Sequence, residues 1–460
     1  MTEIISKELM YQPVVNNHST TVFRKVSPQG TSTSLVQSSS SAYGPVEFII
    51  PPSVFNPSKS RLNFEVSVEE VSTKYTWIDA NALTAISRIV LYDSATGNLW
   101  CDVSNMDLYA KMTSSVATHY DEFKTKGGAA TVAFASGATA AATSRLYVNE
   151  DIVKSNSNAN YTRTGTNLAT NNLYESRQQL FVSAVGGTNA YSHAINFSIP
   201  FSAFKFTALS VDRMLYVPSN LILQVYFSPT DNYAWTSDSA TAPQTNPVSI
   251  VANKLTINNV ALQLANEGNL AIVSQVIDRV MKEGISIPIG YPTVTRQSLT
   301  TAAPSYQLTL SKAYGSRILA ILTAAFTAGS SAVNARSSHT RGNLTYYNTF
   351  INNVAIKYPN GFNCLASEDF YYGAQAYLKN SVVQNITDYI NAEYVLIDSF
   401  FGEKPIHELD VTQIDGLDVG NSTASWSFAG TLSGSETATY ATAIVGQKML
   451  SLTNQGSIVS

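Results

Sequence analysis

The sequence predicts an all-β protein of two tandem eight-stranded jelly-roll β-sandwiches, a double jelly roll with a few short helices and long surface loops. Three observations carry that expectation. Short strand patterns recur along the 460 residues between Gly, Pro and Asn turns, the spacing of sandwich folds. One supersecondary unit of strand, turn, strand and helix is spelled twice. The chain is also long enough for two domains that each bury a core.

The first unit begins at Ile86, alternates Ile89 and Leu91, turns over Asp93 to Asn98 and returns through Leu99 to Val103. Ser104 is the candidate N-cap of the helix that follows, in which Leu108, Tyr109 and Met112 share one face. The second unit runs from Ile351 to Lys357 with Val354 and Ile356 alternating, turns at Tyr358-Pro-Asn-Gly361, and returns through Phe362 to Leu365. Ser367 would cap its helix, whose apolar side is Phe370, Ala374, Tyr377 and Leu378. The 2 cysteines, Cys101 and Cys364, fall at matching places in the two returning strands. They read as equivalent packing positions, each buried, reduced and far from the other.

In chain order, residues 1–44 are rich in Ser, Thr, Gln and Asn and read as an extended N-terminal arm. The first roll is predicted over 45–235. Val46, Phe48 and Ile50 alternate until Pro51-Pro52, and Leu62, Phe64, Val66 and Val68 alternate again. Over 127–191 the pattern dissolves into Gly, Ala, Ser, Thr and Asn, too long for a structureless loop in a compact domain. That segment reads as a surface insert, with Leu146-Tyr-Val148 and Leu180-Phe-Val182 forming small hairpins. Ile195, Phe197 and Ile199, then Leu221, Leu223, Val225 and Phe227, close the roll.

Residues 236–253, with Ala242-Pro-Gln-Thr-Asn-Pro247, are the predicted linker. The second roll, 254–460, would open with Leu255 and Ile257 and shift phase to Val260, Leu262 and Leu264, the mark of a β-bulge. Asn269 to Glu283 reads as a packed helix that caps a sheet or joins the halves, its stripe of Leu270, Val273, Val276, Ile277, Val280 and Met281 ended by Gly284. Strands near Ile285–Ile289, Tyr306–Leu310 and Ile318–Leu322 precede the second repeated unit. Tyr394–Phe401, Trp426 with Phe428, and Tyr440–Leu452 complete the roll.

No chemistry is written into this framework. Charged residues make up 13% of the chain, against about 25% in soluble domains generally. A neutral, polar surface suits a protein whose sides are buried against identical neighbours, because few charges must be desolvated. With a net charge of −4 and no Lys/Arg cluster, no sequence-specific nucleic-acid binding is expected. Of His18, His119, His193, His339 and His407, none stands at a metal-ligand interval from another His or a Cys. Glu69-Glu70, Glu150-Asp151 and Glu368-Asp369 are conceivable glycosidase pairs, but solvated loops and a helix N-terminus account for them. The expectation is therefore no enzyme, no cofactor, and no catalytic, cofactor-binding or metal residue. Neither a secretory signal nor an apolar run of about 20 residues is expected.

Three passages carry a family resemblance: Ile50-Pro-Pro-Ser53 leading into Ser60–Val68; Ile199-Pro-Phe-Ser-Ala-Phe-Lys-Phe206; and Tyr216-Val-Pro218 leading into Leu221–Phe227. In these and in its duplicated layout the chain resembles the double jelly-roll major capsid proteins of tailless icosahedral double-stranded DNA viruses, most closely those of virophages and polinton-like viruses. The resemblance implies two rolls standing side by side, and three chains forming a six-lobed, pseudo-hexagonal capsomer that tiles an icosahedral shell. It implies outward towers, built here from 127–191 and from 327–345 or 416–439. The implied partners are the chain itself as a homotrimer, neighbouring capsomers, and penton and minor capsid proteins. The N-terminal arm would dock on a neighbour, a minor protein or an internal membrane. The implied location is the virion shell, after synthesis in the host cytoplasm. Two other readings stay open on the residues alone: a spike, fibre or adhesin holding a glycan through Tyr-rich loops, and a carbohydrate-active enzyme with converging carboxylates.

Overall fold

The computed structural model describes residues 18–30, 34–36, 43–69, 75–79, 82–116, 131–132, 179–183, 192–237, 249–250, 254–299, 305–327, 344–355, 395–399, 416–420, 423–432 and 438–460. The first half contributes β1 (Thr21–Val26), β2 (Tyr43–Ile50), β3 (Phe55–Glu69), β4 (Ile86–Asp93), β5 (Leu99–Ser104), β6 (Ser192–Pro200), β7 (Leu221–Phe227) and β8 (Leu255–Glu267). Helix α1 (Met106–Val116) follows β5, and α2 (Leu270–Lys282) follows β8. The second half contributes β9 (Ile285–Leu299), β10 (Ser305–Leu310), β11 (Arg317–Thr327), β12 (Leu344–Ile351), β13 (Val354–Ala355), β14 (Val395–Ser399), β15 (Ala424–Leu432) and β16 (Ala438–Thr453).

The two halves repeat one topology strand for strand. The first pairs β1-β8-β3-β6 in one sheet and β2-β7-β4-β5 in the other; the second pairs β9-β16-β11-β14 and β10-β15-β12-β13. Adding eight to each number of the first roll reproduces the second. The protein is thus all-β, two jelly rolls in tandem. Shorter strands extend the sheets: Ser34–Val36 pairs with β8, Thr131–Val132 with β6, Leu417–Asp418 with β11 and Gly456–Val459 with β16. Tyr75–Asp79 pairs with both Ala234–Ser237 and Gln179–Ser183 in a separate small sheet.

Period-2 alternation explains the strands locally. In β7, Leu221, Leu223, Val225 and Phe227 are buried while the residues between them are not. Leu62, Phe64 and Val66 of β3 do the same opposite them, and Phe64 meets Phe227 edge-on at 5.3 Å between centroids. The phase shift in β8 is a bulge: pairing with β3 slips between Asn258 and Ala261, and Asn259 takes φ 53°. Helix α2 is capped by Asn269, whose side chain accepts from the Ala271 N–H at 3.0 Å, and ends at Gly284 with φ 71°. Of its apolar stripe Val280 alone is fully buried, so α2 joins the rolls and is not a core helix.

Several sequence expectations change. Residues 21–26 are not part of a free arm: β1 pairs along its length with β8, from Thr21 opposite Glu267 to Val26 opposite Leu262. Leu255–Glu267 does not open the second roll but is the last strand of the first, because its bulged register matches β3. The first roll therefore extends from β1 through β8. Residues 236–253 lead from the small sheet into β8 within that roll, and the connection between rolls is α2. Gln179–Ser183 is a strand, but its partner is Tyr75–Asp79 and not a local hairpin. The rest of the 127–191 insert lies outside the described residues, apart from Thr131–Val132 and Gln179–Ser183.

In the first repeated unit, strand, turn, strand and helix all fall as predicted, except that the helix begins at Met106 after Asn105 at φ 52°, not at Ser104. In the second, the turn is Asn352–Asn353, with φ 49° and 64°, a two-residue hairpin of the primed kind. Val354 thus lies on the returning strand. The predicted turn at 358–361, the helix after Ser367 and Cys364 lie outside the described residues. Cys101 is buried and free, and burial pushes its thiol up to about 12. Of the tower segments, 328–343 lies outside the described residues, whereas 424–432 is β15, a strand with Trp426 and Phe428 in the core.

Strand β1 is held at its start by Glu267, whose carboxylate accepts from Ser19 Oγ at 2.6 Å and from the Thr20 and Asn269 N–H groups at 2.8 Å. Deleting residues 1–26 should lower the unfolding free energy by about 3 kcal/mol, through loss of that network and of the β1–β8 ladder. Urea unfolding followed by circular dichroism checks this; an unchanged midpoint would show β1 to be dispensable.

Candidate functional site

The surface that organises the molecule is the seam between the two rolls. On the first roll it is formed by β5, α1 and the segment from Phe201 to Ser210; on the second, by β9, β11 and β14. Helix α1 is positioned by its own buried face: Met106, Tyr109, Ala110 and Met112 have no exposed surface, and the Tyr109 hydroxyl donates to the Lys205 carbonyl at 2.8 Å.

At the centre of the sheet β9-β16-β11-β14, strands β16 and β11 are buried on both faces over residues 440–447 and 318–323. Ile318, Ile321, Tyr440 and Ile444 point into the second roll's own sandwich with Trp426 and Phe428. Leu319, Leu322, Ala441, Ala443 and Val445 belong instead to a core continuous with that of the first roll. A register shift between Ile318 and Ala320 changes the phase of β11, so that Ile318 and Ile321, three residues apart, share one face. The near-continuous apolar run Ile318-Leu-Ala-Ile-Leu322 follows from this, since a strand covered on both faces has no solvent side to make polar.

Polar contacts fix the angle of this packing. Asp93, at the end of β4 and fully buried, accepts from Ser219 Oγ at 2.6 Å and the Ala95 N–H at 2.9 Å. It also accepts from the N–H and Oγ of Ser457, on the second roll's final strand, both at 2.8 Å. Trp100 Nε1 donates to Ser457 Oγ at 2.7 Å, while Thr96 and Asn98 donate to the Ser457 carbonyl. Burial pushes the Asp93 carboxyl upward, but the bonds from Ser219, Ala95 and Ser457 outweigh it and hold the group below the usual value. Backbone meets backbone at Gly290 of β9: a Cβ there would lie 2.1 Å from the Phe206 carbonyl oxygen. Phe206 itself sits at φ 56°. At the rim, Arg88 binds Asp102 with two 2.7 Å bonds, and Lys448 Nζ lies 3.7 Å from the centroid of the Tyr291 ring.

None of these residues was singled out as a site by the sequence, which predicted none. Among the described residues, no group of three or more His, Cys, Asp or Glu could hold a metal ion. His18 is exposed; His193 lies on β6, and His119, His339 and His407 lie outside the described residues. Glu69 ends β3, while Glu70, Glu150-Asp151 and Glu368-Asp369 lie outside the described residues. No helix among the described residues is long and apolar enough to cross a membrane.

A chain with this strand order and a seam of this kind has the double jelly-roll fold. No family model matches the sequence, and no curated protein matches it. Solved structures do. The major capsid protein of mavirus superposes with a TM-score of 0.53 at 9% identity, over 100% of this chain and 95% of that one. A chain of the Sputnik virophage structure gives 0.51 at 11%, over 100% and 93%. The Faustovirus major capsid protein gives 0.51 at 11%, over 97% and 94%. At such identities the likeness is one of fold, and it spans both rolls.

Two outcomes are expected at the seam. Gly290→Ala should destabilise the protein by about 3 kcal/mol, because the added Cβ meets backbone that cannot move aside cheaply. A change under about 0.5 kcal/mol in denaturant unfolding would show that the close approach does not matter. Asp93→Ala should cost about 3 kcal/mol at neutral pH, since it strands the buried Ser457 donors. Asp93 has a lowered folded value, so its contribution is complete above the ordinary Asp range and is lost as pH falls through that lower value. The gap between wild type and variant should therefore shrink on acidification; a gap independent of pH would contradict the account.

Proposed function

We propose that the chain is the major capsid protein of an icosahedral virus, and that three copies form a six-lobed capsomer that tiles the shell. The observation that supports this most is the strand-for-strand repetition of one jelly roll within a single chain. Two equivalent lobes per chain let a threefold oligomer present six similar sides to a hexagonal lattice. The low charge of the surface fits burial of those sides against copies of the same chain. The fold shared along its length with the mavirus and Faustovirus major capsid proteins supports the same role.

On this reading the protein works as a building block and not as a catalyst, and its place is the virion shell. Its partners are first itself, then neighbouring capsomers, penton and minor capsid proteins. The residues preceding β1 would contact a neighbour, a minor protein or an internal membrane. The buried seam gives the lobe pair the rigidity that a lattice unit requires. Light scattering on the purified chain should give a trimer, and negative-stain images should show six-lobed particles with threefold symmetry. A strict monomer at high concentration, above all one that binds glycans, would overturn the proposal in favour of an adhesin.

A further inference from the structure

Helix α2 joins the rolls with part of its apolar side uncovered. Val280 is buried, but Leu270 is 79% exposed and Met281 42%, while Val273, Val276 and Ile277 are half-buried. Leu270, Ile277 and Met281 stand seven and four residues apart, so they form one line along the open margin of the helix. That line is about 16 Å long at the helical rise. At its start Val22 of β1 is 51% exposed, and its Cγ2 lies 2.9 Å from where a Cβ on Gly268 would stand. The charges on the helix are matched: Asp278 pairs with Lys282 at 3.0 Å and Arg279 with Glu283 at 3.9 Å. Arg24 and Lys25 belong to β1, opposite Leu264 and Gln263, and not to the helix. A helix with one apolar margin open is the form in which a second amphipathic segment is received.

We propose that, before any shell is assembled, residues 1–17 fold back over this line, with Ile5 and Leu9 of the same chain covering Ile277 and Met281. Two observations name the occupant. The first is where the chain arrives. The His18 carbonyl accepts from Asn269 Nδ2 at 3.2 Å and the Thr20 carbonyl from the Gly268 N–H at 2.7 Å, so residue 18 stands at the first turn of α2. The second is the sequence just before it. In Met1-Thr-Glu-Ile-Ile-Ser-Lys-Glu-Leu9, Met1, Ile5 and Leu9 recur every four residues, a single stripe flanked by Thr2 and Glu8, and Pro13 ends the pattern. A stripe one side chain wide matches a line one side chain wide. Residues 10–17 reach at most about 30 Å, enough to set Leu9 and Ile5 over the far half of the helix. The short tether also holds the segment at an effective concentration on the order of millimolar, ahead of any separate partner. A helix whose charges cancel offers an anionic membrane little, since interfacial helices carry an excess of Lys and Arg. The contacts proposed above for the residues preceding β1 belong to the shell; this one precedes it and does not depend on the capsomer reading.

Hydrogen exchange on the full chain, read by mass spectrometry, compares wild type with Ile5→Asp/Leu9→Asp in the segment and with Leu270→Asp/Met281→Asp on the helix. Leu270 and Met281 are exposed, so the second variant keeps the fold, which circular dichroism checks. The amides of residues 4–10 should exchange about tenfold or more slowly in wild type than in the denatured chain, and lose that protection in both variants. Under mild oxidation Ile5→Cys/Met281→Cys should give a cross-link that runs as one chain on a denaturing gel and that neither single variant gives. Unprotected amides over residues 4–10 in wild type, or protection that survives Leu270→Asp/Met281→Asp, would refute the docking. A cross-linked dimer would overturn the intramolecular form and make a second copy the occupant. Protection that arises only with added phosphatidylserine vesicles would overturn it in favour of a membrane. None of these results decides whether three copies form a capsomer, so this contact and the capsid reading fail separately.

Discussion

A β-sheet whose central strands are buried on both faces holds this molecule together. The strands β16 and β11 present one set of side chains to Trp426 and Phe428 and the other to the core of the first roll. Each Leu, Ile or Val among them contributes roughly 1.5–3 kcal/mol by leaving water, and those facing the first roll contribute only while the rolls stay joined. The second sandwich therefore keeps one face of its main sheet dry only through contact with its neighbour.

Directional contacts turn this adhesion into a defined angle. Apolar burial alone would tolerate sliding, because it is not directional. The Asp93–Ser457 network does not, since moving Ser457 leaves buried donors and a buried carboxylate without partners. Gly290 against the Phe206 carbonyl acts the same way, because backbone packed on backbone has no rotamer to adjust. A fixed angle between lobes matters functionally if the chain is a lattice unit, as errors in that angle would accumulate around a ring of six lobes.

Much of the fold could be read from the sequence, for reasons that differ by element. Leu221–Phe227 and Leu62–Val66 alternate cleanly because one face is core and the other is not. The bulge at Asn258–Val260 shows as a change of phase, and α2 as a stripe with a capping Asn and a terminal Gly. Domain boundaries were harder, because alternation says which face of a strand is buried but not which strand lies beside it. Leu255–Glu267 pairs with β3, almost two hundred residues earlier, and nothing local announces it. Strand β1, Thr-Val-Phe-Arg-Lys-Val, is an edge strand exposed on both sides and reads as an arm. The turn at Asn352–Asn353 was hidden because Val354 and Ile356 prolong the alternation past it. The seam carried no local signal, since Asp93 and Ser457 are 364 residues apart. What the sequence did contain was its consequence, the unbroken apolar run Ile318–Leu322.

If the two rolls are one cooperative body joined by a shared sheet, native-state hydrogen exchange under increasing denaturant gives the most direct test. The amides of β3 and β8 in the first roll and of β11 and β16 in the second should reach the same opening free energy and merge into a single global unfolding transition. Two separate sets, with β11 and β16 exchanging through an opening that leaves β3 and β8 protected, would show the rolls to be independent domains and would contradict the shared core.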